Sequence, residues 1–166
     1  MSETHSVLAG TRRPLANGAR RVRDIDPNAR IEVTINLKAP DLPGADKMPA
    51  KALSPEGLAR QYGASPENIR KVEDTLRSYG LHIEGVGPTH RSLRVSGSAA
   101  AIEGAFKAGV AIYHSAAQGD FRGREGSVSV PAEIASLVDS VEAWTNGVSQ
   151  NGRRLRPQRP RSRRRL

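Results

Sequence analysis

Hydrophobic and polar residues alternate in four short segments between residues 31 and 113. The apolar positions are Ile31, Val33, Ile35 and Leu37 in the first segment, Leu81 and Ile83 in the second, Leu93 and Val95 in the third, and Val110 and Ile112 in the fourth. A period of two is typical of strands that bury one face and expose the other. The pattern therefore predicts four half-buried strands.

Helical patterns lie between these segments. Ser-Pro-Glu at 54–56 and again at 65–67 supplies a capping hydroxyl, a proline for the first helical position and an acid near the positive helix end. Gly63 and Gly80 follow these helices where a left-handed residue is favoured. The apolar residues of the second helix are spaced by three and four, and are Ile69, Val72, Leu76 and Tyr79.

Two further helices are predicted towards the C-terminus. Ser98 caps a third helix that we expect to stop at Gly109. A last helix is predicted to begin at Pro131, because the following apolar residues have the spacing i, i+3, i+4, i+7. These residues are Ile134, Leu137, Val138 and Val141. Residues 120–123 suggest a short additional strand.

The order β-α-α-β-β-α-β predicts an α+β domain of the ferredoxin-like, split β-α-β kind, in which helices cover one face of an antiparallel sheet. The domain is expected to span residues 30–146, between a flexible leader (1–29) and a disordered arginine-rich tail (147–166). The other sheet face is left to solvent or to a partner. The side chains predicted to share it are Glu32, Thr34, Asn36, Lys38, His82, Glu84, Arg94, Ser96, Tyr113 and Ser115.

The net charge of +9 comes almost entirely from the tail. Residues 153–166 contain eight arginines and no acid, which leaves the remainder of the chain close to neutral. Such a segment could bind polyanions by counterion release, without sequence preference. Three origins of this segment are open: a severed linker, a genuine polycationic tail, or the product of a shifted reading frame.

The residue patterns support no catalytic chemistry. Cysteine is absent, the four histidines are scattered, and no serine lies in Gly-x-Ser-x-Gly. Gly85-Val86-Gly87 is followed by proline and lacks the third glycine of a dinucleotide-binding loop. We therefore expect no enzyme activity, metal or cofactor. No apolar run approaches the length that spans a membrane, and no signal peptide is visible.

Five segments of the chain together resemble a known family. They are RIEVTINLKAP, ALSPEGLARQYGASPENIRKVEDTLRSYGL, RSLRVSGSAAAIEGAF, VAIYHS and DFRGREGSVSVPAEIASLVDSVEAW. In this order they are similar to the pro-kumamolisin activation domain, the propeptide of the sedolisin (serine-carboxyl) peptidases. The resemblance covers roughly residues 30–146. Members of this family act mostly outside the cell.

The resemblance implies a domain that docks through its sheet on a peptidase catalytic domain, assists its folding and blocks its cleft until autoprocessing in acid removes the propeptide. The Ser-Glu-Asp chemistry belongs to the catalytic domain. The contact residues expected here are Glu32, Thr34, His82, Glu84, Arg94, Tyr113 and Arg122. A processing or polyanion-binding segment is expected at Arg153, Arg154, Arg163, Arg164 and Arg165. The alternatives are polyanion binding by the tail and a truncated relic of a peptidase.

Overall fold

The computed structural model describes residues 4–47 and 50–142, and within these ranges the chain forms nine strands and three α-helices. In chain order they are β1 (His5–Val7), β2 (Arg20–Asp24), β3 (Arg30–Leu37), α1 (Pro55–Tyr62), α2 (Pro66–Ser78), β4 (His82–Val86), β5 (Ser92–Ser98), α3 (Ala99–Phe106), β6 (Val110–Ser115), β7 (Gly119–Arg124), β8 (Ser129–Pro131) and β9 (Val138–Glu142). Short 3-10 helices occupy Ala45–Lys47 and Ala132–Ile134.

The main sheet has the strand order β4-β5-β3-β9, and every neighbouring pair is antiparallel. Its central strand, β3, buries Ile31, Val33 and Ile35 completely. The side chains between them are partly exposed, so the predicted period of two is confirmed in this strand. The α+β class with antiparallel sheets is confirmed as well.

Helices α2 and α3 pack against the apolar face of this sheet. Inward side chains of α2 and α3 belong to the same core as those of β3 and β5. The three serine caps are confirmed, because Ser54, Ser65 and Ser98 each accept a hydrogen bond from the backbone N–H three residues later, at 3.1–3.2 Å. The sequence around each cap thus fixes where a helix begins.

A second sheet contains β2, β6 and β7 in that order, and β1 pairs separately with β8. The prediction that the fourth alternating segment joins the main sheet is therefore wrong, because β6 pairs with β2 and β7 instead. The leader was predicted to lack regular structure, and this is also wrong for β1 and β2. The suggested strand at 120–123 is confirmed as β7.

The predicted last helix is wrong, because its residues form a 3-10 turn and then β9. Val138 lies opposite Leu37 and Val141 lies opposite Ile35, with an irregularity in the register between them. A bulge adds one residue to a strand, so two inward side chains become separated by three positions instead of two. This spacing imitates the helical one.

Two of the predicted helix ends differ from the structure. Gly80 has the expected positive φ of 80°, but Gly63 has φ −78°. A Cβ on Gly63 would lie 2.9 Å from the carbonyl oxygen of Thr89, so this glycine is needed for close approach of α1 to the β4–β5 turn. Helix α3 ends at Phe106, and the left-handed residue after it is Lys107 with φ 49°, not Gly109.

Replacing Lys107 with glycine is expected to stabilise the domain by about 0.5–1 kcal/mol, because a left-handed backbone is costly for lysine and not for glycine. Lys107→Ala is the matched control, since it removes the charge and keeps the Cβ. Urea unfolding of both variants measures the difference. A Lys107→Gly variant no more stable than Lys107→Ala would show that the left-handed conformation carries no such cost.

Candidate functional site

The face of the main sheet opposite the core carries polar side chains on all four strands. Register places them in cross-strand rows: Glu32 opposite Ser96, Thr34 between Arg94 and Glu142, Asn36 between Ser92 and Ser140, and His82 beside Ser96. We call this surface the open face. Its rows combine charges of both signs with hydroxyl and amide groups.

A cluster of hydrogen bonds lies at one end of the open face. The Glu84 carboxylate accepts hydrogen bonds from the hydroxyl of Ser96 and from the guanidinium of Arg30. Arg30 Nη2 also lies 3.3 Å from Ser96 Oγ. Ser96 is only 4% exposed, so its hydroxyl is held in place beneath the two charged groups.

These contacts change the protonation of Glu84. The hydrogen bond from Ser96 is the main cause that holds the pKa of Glu84 below its ordinary value, and the positive charges of Arg30 and His82 act in the same direction. Partial desolvation opposes the effect. Glu84 therefore keeps its negative charge to a lower pH than an isolated glutamate would.

Weaker polar contacts continue across the sheet towards β9. Arg94 Nη1 lies 4.0 Å from Glu32 Oε1. Asn36 Nδ2 donates a hydrogen bond to Ser140 Oγ at 2.9 Å. Many side chains of the open face are thus paired across strands, and this pairing limits the number of rotamers that they sample.

The structure brings together five of the seven predicted contact residues: Glu32, Thr34, His82, Glu84 and Arg94. Arg122 lies on β7, in the second sheet. The prediction that Tyr113 and Ser115 share the open face is wrong, because both belong to β6.

Tyr113 is a packing residue of the second sheet. It is 3% exposed, and its ring stacks on that of Phe121 with centroids 6.0 Å apart. Gly123 makes room for it, since a Cβ there would lie 2.9 Å from the tyrosine ring. A substitution of Tyr113 would therefore destabilise the second sheet, and its effect on binding could not be separated from its effect on folding.

Four members of the open face were not predicted from the sequence: Arg30, Ser92, Ser140 and Glu142. Arg30 precedes the apolar alternation of β3 and was not counted in it, although its position two residues before Glu32 places it on the same face. Ser140 and Glu142 were assigned to a helix because of the bulge in β9. The period of two, continued one step backwards, would have found Arg30.

The described residues offer no cluster of three or more histidine, aspartate or glutamate side chains that could hold a metal ion. In the same part of the chain, no helix has the length and apolarity needed to cross a membrane. The predicted processing or polyanion segment, Arg153, Arg154 and Arg163 to Arg165, lies outside the described residues.

Comparison with known proteins identifies the family. Residues 17–146 match the pro-kumamolisin activation domain. The chain belongs to that family. This activation domain is also similar to kumamolisin from Bacillus sp. (strain MN-32), with 29% identity over 153 residues. The match covers 84% of the present chain and 27% of kumamolisin, so the chain spans about a quarter of that relative. The resemblance predicted from the sequence is confirmed. Residues 17–146 of this chain correspond to an activation domain, which in this peptidase family is the propeptide and not the catalytic domain.

The lowered pKa of Glu84 predicts a pH-dependent contribution to stability. A carboxylate with a lower pKa in the folded state stabilises the fold above its unfolded pKa, and this contribution is lost as pH falls through the folded pKa. Glu84→Gln is therefore expected to destabilise the domain near pH 7 and to have less effect well below about pH 4. Urea unfolding at both pH values measures this.

Ser96→Ala provides the matched test of the cause. Removing the hydroxyl should raise the pKa of Glu84 towards its ordinary value, as followed by NMR titration of the carboxyl carbon. An unchanged titration in Ser96→Ala would mean that this hydrogen bond does not set the pKa of Glu84.

Proposed function

We propose that this activation domain binds the catalytic domain of a sedolisin-type peptidase through the open face, inhibits it and assists its folding. The observation that carries the proposal is the two-sided main sheet, with one face buried under helices and the other lined by paired polar side chains. The family assignment supports the choice of partner. The domain itself contributes a surface and no catalytic step.

The connectivity of the main sheet fits this role. We infer that β3, β4, β5 and β9 form a ferredoxin-like, split β-α-β unit, in which β9 takes the place that was predicted for β6. In such a unit the helices brace the sheet from behind. A rigid sheet is a suitable docking platform because little conformational entropy is lost when a partner binds.

The pairing within the open face favours a specific partner. Arg30 and Arg94 already contact Glu84 and Glu32, so these charges have partners when water is removed. Charge pairs of this kind contribute specificity, since a wrong partner would place like charges together. We propose Glu32, Thr34, His82, Glu84 and Arg94 as contact residues.

Release in acid is part of the proposal. As pH falls through its lowered pKa, Glu84 becomes protonated and loses its ionic contact with Arg30. Arg30 is then left without its carboxylate partner inside the interface, which weakens the complex. Because the pKa is lowered, this loss requires stronger acid than an ordinary glutamate would.

A bulky side chain in the middle of the open face should weaken inhibition without unfolding the domain. Thr34→Lys is suited to this test because Thr34 occupies the central strand and its side chain is partly exposed. We expect at least a tenfold weaker inhibition of an acid-active sedolisin-type peptidase near about pH 6, corresponding to about 1.4 kcal/mol or more. Titration of peptidase activity against the domain measures it.

Gln61→Lys is the control for this variant. Gln61 is exposed on α1, outside the main sheet, and the substitution adds the same positive charge. Its inhibition should match that of the wild-type domain. Equal inhibition by Thr34→Lys and the wild type, with both folded, would exclude the open face as the docking surface.

Polyanion binding by the tail is a second candidate, because residues 153–166 concentrate eight arginines. A chain shortened to residues 1–150 should lose salt-sensitive binding to a polyanion such as single-stranded DNA and retain inhibition of the peptidase. Fluorescence anisotropy with labelled DNA and the inhibition assay measure the two properties. Undiminished DNA binding by the shortened chain would remove the tail from consideration.

A further inference from the structure

The second sheet presents a row of arginines on one of its faces. Arg20 of β2 lies opposite His114 of β6, Arg23 lies opposite Ile112, and Ile112 lies opposite Arg122 of β7. Directly opposite residues of antiparallel strands share a face, so the three arginines lie on the same side. We call Arg20, Arg23 and Arg122 the basic strip.

The basic strip carries a net positive charge. Asp120 is the carboxylate that register places on this face, at 3.6 Å from Arg23 Nη1 and 2.8 Å from His114 Nδ1. One carboxylate thus stands against three guanidiniums. Arg124 lies on the same face by register but turns its guanidinium to backbone carbonyls of Thr11 and Gly126. Arg20 and Arg23 are exposed to solvent.

The basic strip adjoins the open face. Arg122 Nη1 donates a hydrogen bond to the backbone carbonyl of Arg30 at 3.2 Å. The side chain of Arg30 in turn contacts Glu84 and Ser96 on the open face. A partner that covers the end of the open face at Arg30 would therefore also lie close to Arg122 of the basic strip.

The two surfaces differ in their charge balance. On the open face, Arg30 is paired with Glu84, and Arg94 lies beside Glu32. The strip has no comparable balance, so its field extends into solvent. Uncompensated charge at the rim of an interface mainly accelerates association, whereas paired charge at the centre contributes specificity.

We propose that the basic strip binds an acidic surface of the catalytic domain at the rim of the interface and accelerates association. This inference rests on the proposed function and adds the chemistry of the partner at this place. Carboxylates suit the strip because guanidiniums bind them through paired hydrogen bonds. The catalytic domain is favoured as the occupant because Arg122 joins the strip to the open face at Arg30, so one partner can cover both surfaces.

Adjacent residues of β2 provide a matched pair of variants. Arg20 and Arg21 are consecutive in a regular part of the strand, so their side chains lie on opposite faces, and both are exposed. Arg20→Glu and Arg21→Glu change the net charge equally. Only Arg20→Glu alters the basic strip, so a difference between the variants reports position and not total charge.

The experiment measures association and dissociation rates of the full-length variants with an acid-active sedolisin-type peptidase at low and physiological salt. Arg20→Glu should slow association about threefold to tenfold at low salt and flatten its salt dependence, with little change in dissociation. Arg21→Glu should change the association rate less than about twofold. Thermal unfolding confirms that both variants are folded.

Other outcomes overturn the inference in distinguishable ways. Equal slowing by both variants would show that net charge alone steers association, and no slowing by either would show that the strip is not used. Either result leaves inhibition through the open face intact. A wild-type chain that does not bind the peptidase would overturn the proposed function, and this inference with it.

Discussion

The structure depends on the pairing of β3 with two strands that are distant in sequence. β3 pairs with β5 from Arg30 to Asn36, and its second half also pairs with β9. The β5 ladder includes the fully buried Ile31, Val33 and Ile35, and the β9 ladder includes Ile35 and Leu37. Since neither partner is local, the core of the main sheet depends on contacts between distant parts of the chain.

The same strand determines the candidate binding surface. In β3 the odd-numbered side chains build the core, and Glu32, Thr34 and Asn36 between them build the open face. A slip of one residue in register would exchange the two sets and place isoleucines in contact with solvent. Burial of the core therefore fixes the positions of the polar rows, so stability and binding share one register.

Sequence patterns predicted the elements whose signals are local. The serine caps and the alternation in β3 and β5 depend only on neighbouring residues. Glu32, Thr34 and Arg94 were predicted from the alternation. The pattern could not reveal β2, because all five of its residues are exposed and it exists through its pairing with β6. It also could not reveal which sheet β6 joins, and this is why Tyr113 was misplaced. The bulge hid β9.

Under the proposed function the domain must bind and later separate, and a polar face has a physical advantage for this. A large apolar patch would bind strongly but would promote aggregation whenever the domain is free. On the open face, Glu84 instead accepts hydrogen bonds from Ser96 and Arg30, which satisfies it both in water and under a partner. The ionic contact with Arg30 requires a charged carboxylate, so protonation of Glu84 removes it. Under the proposed function, binding and acid release follow from the same three side chains.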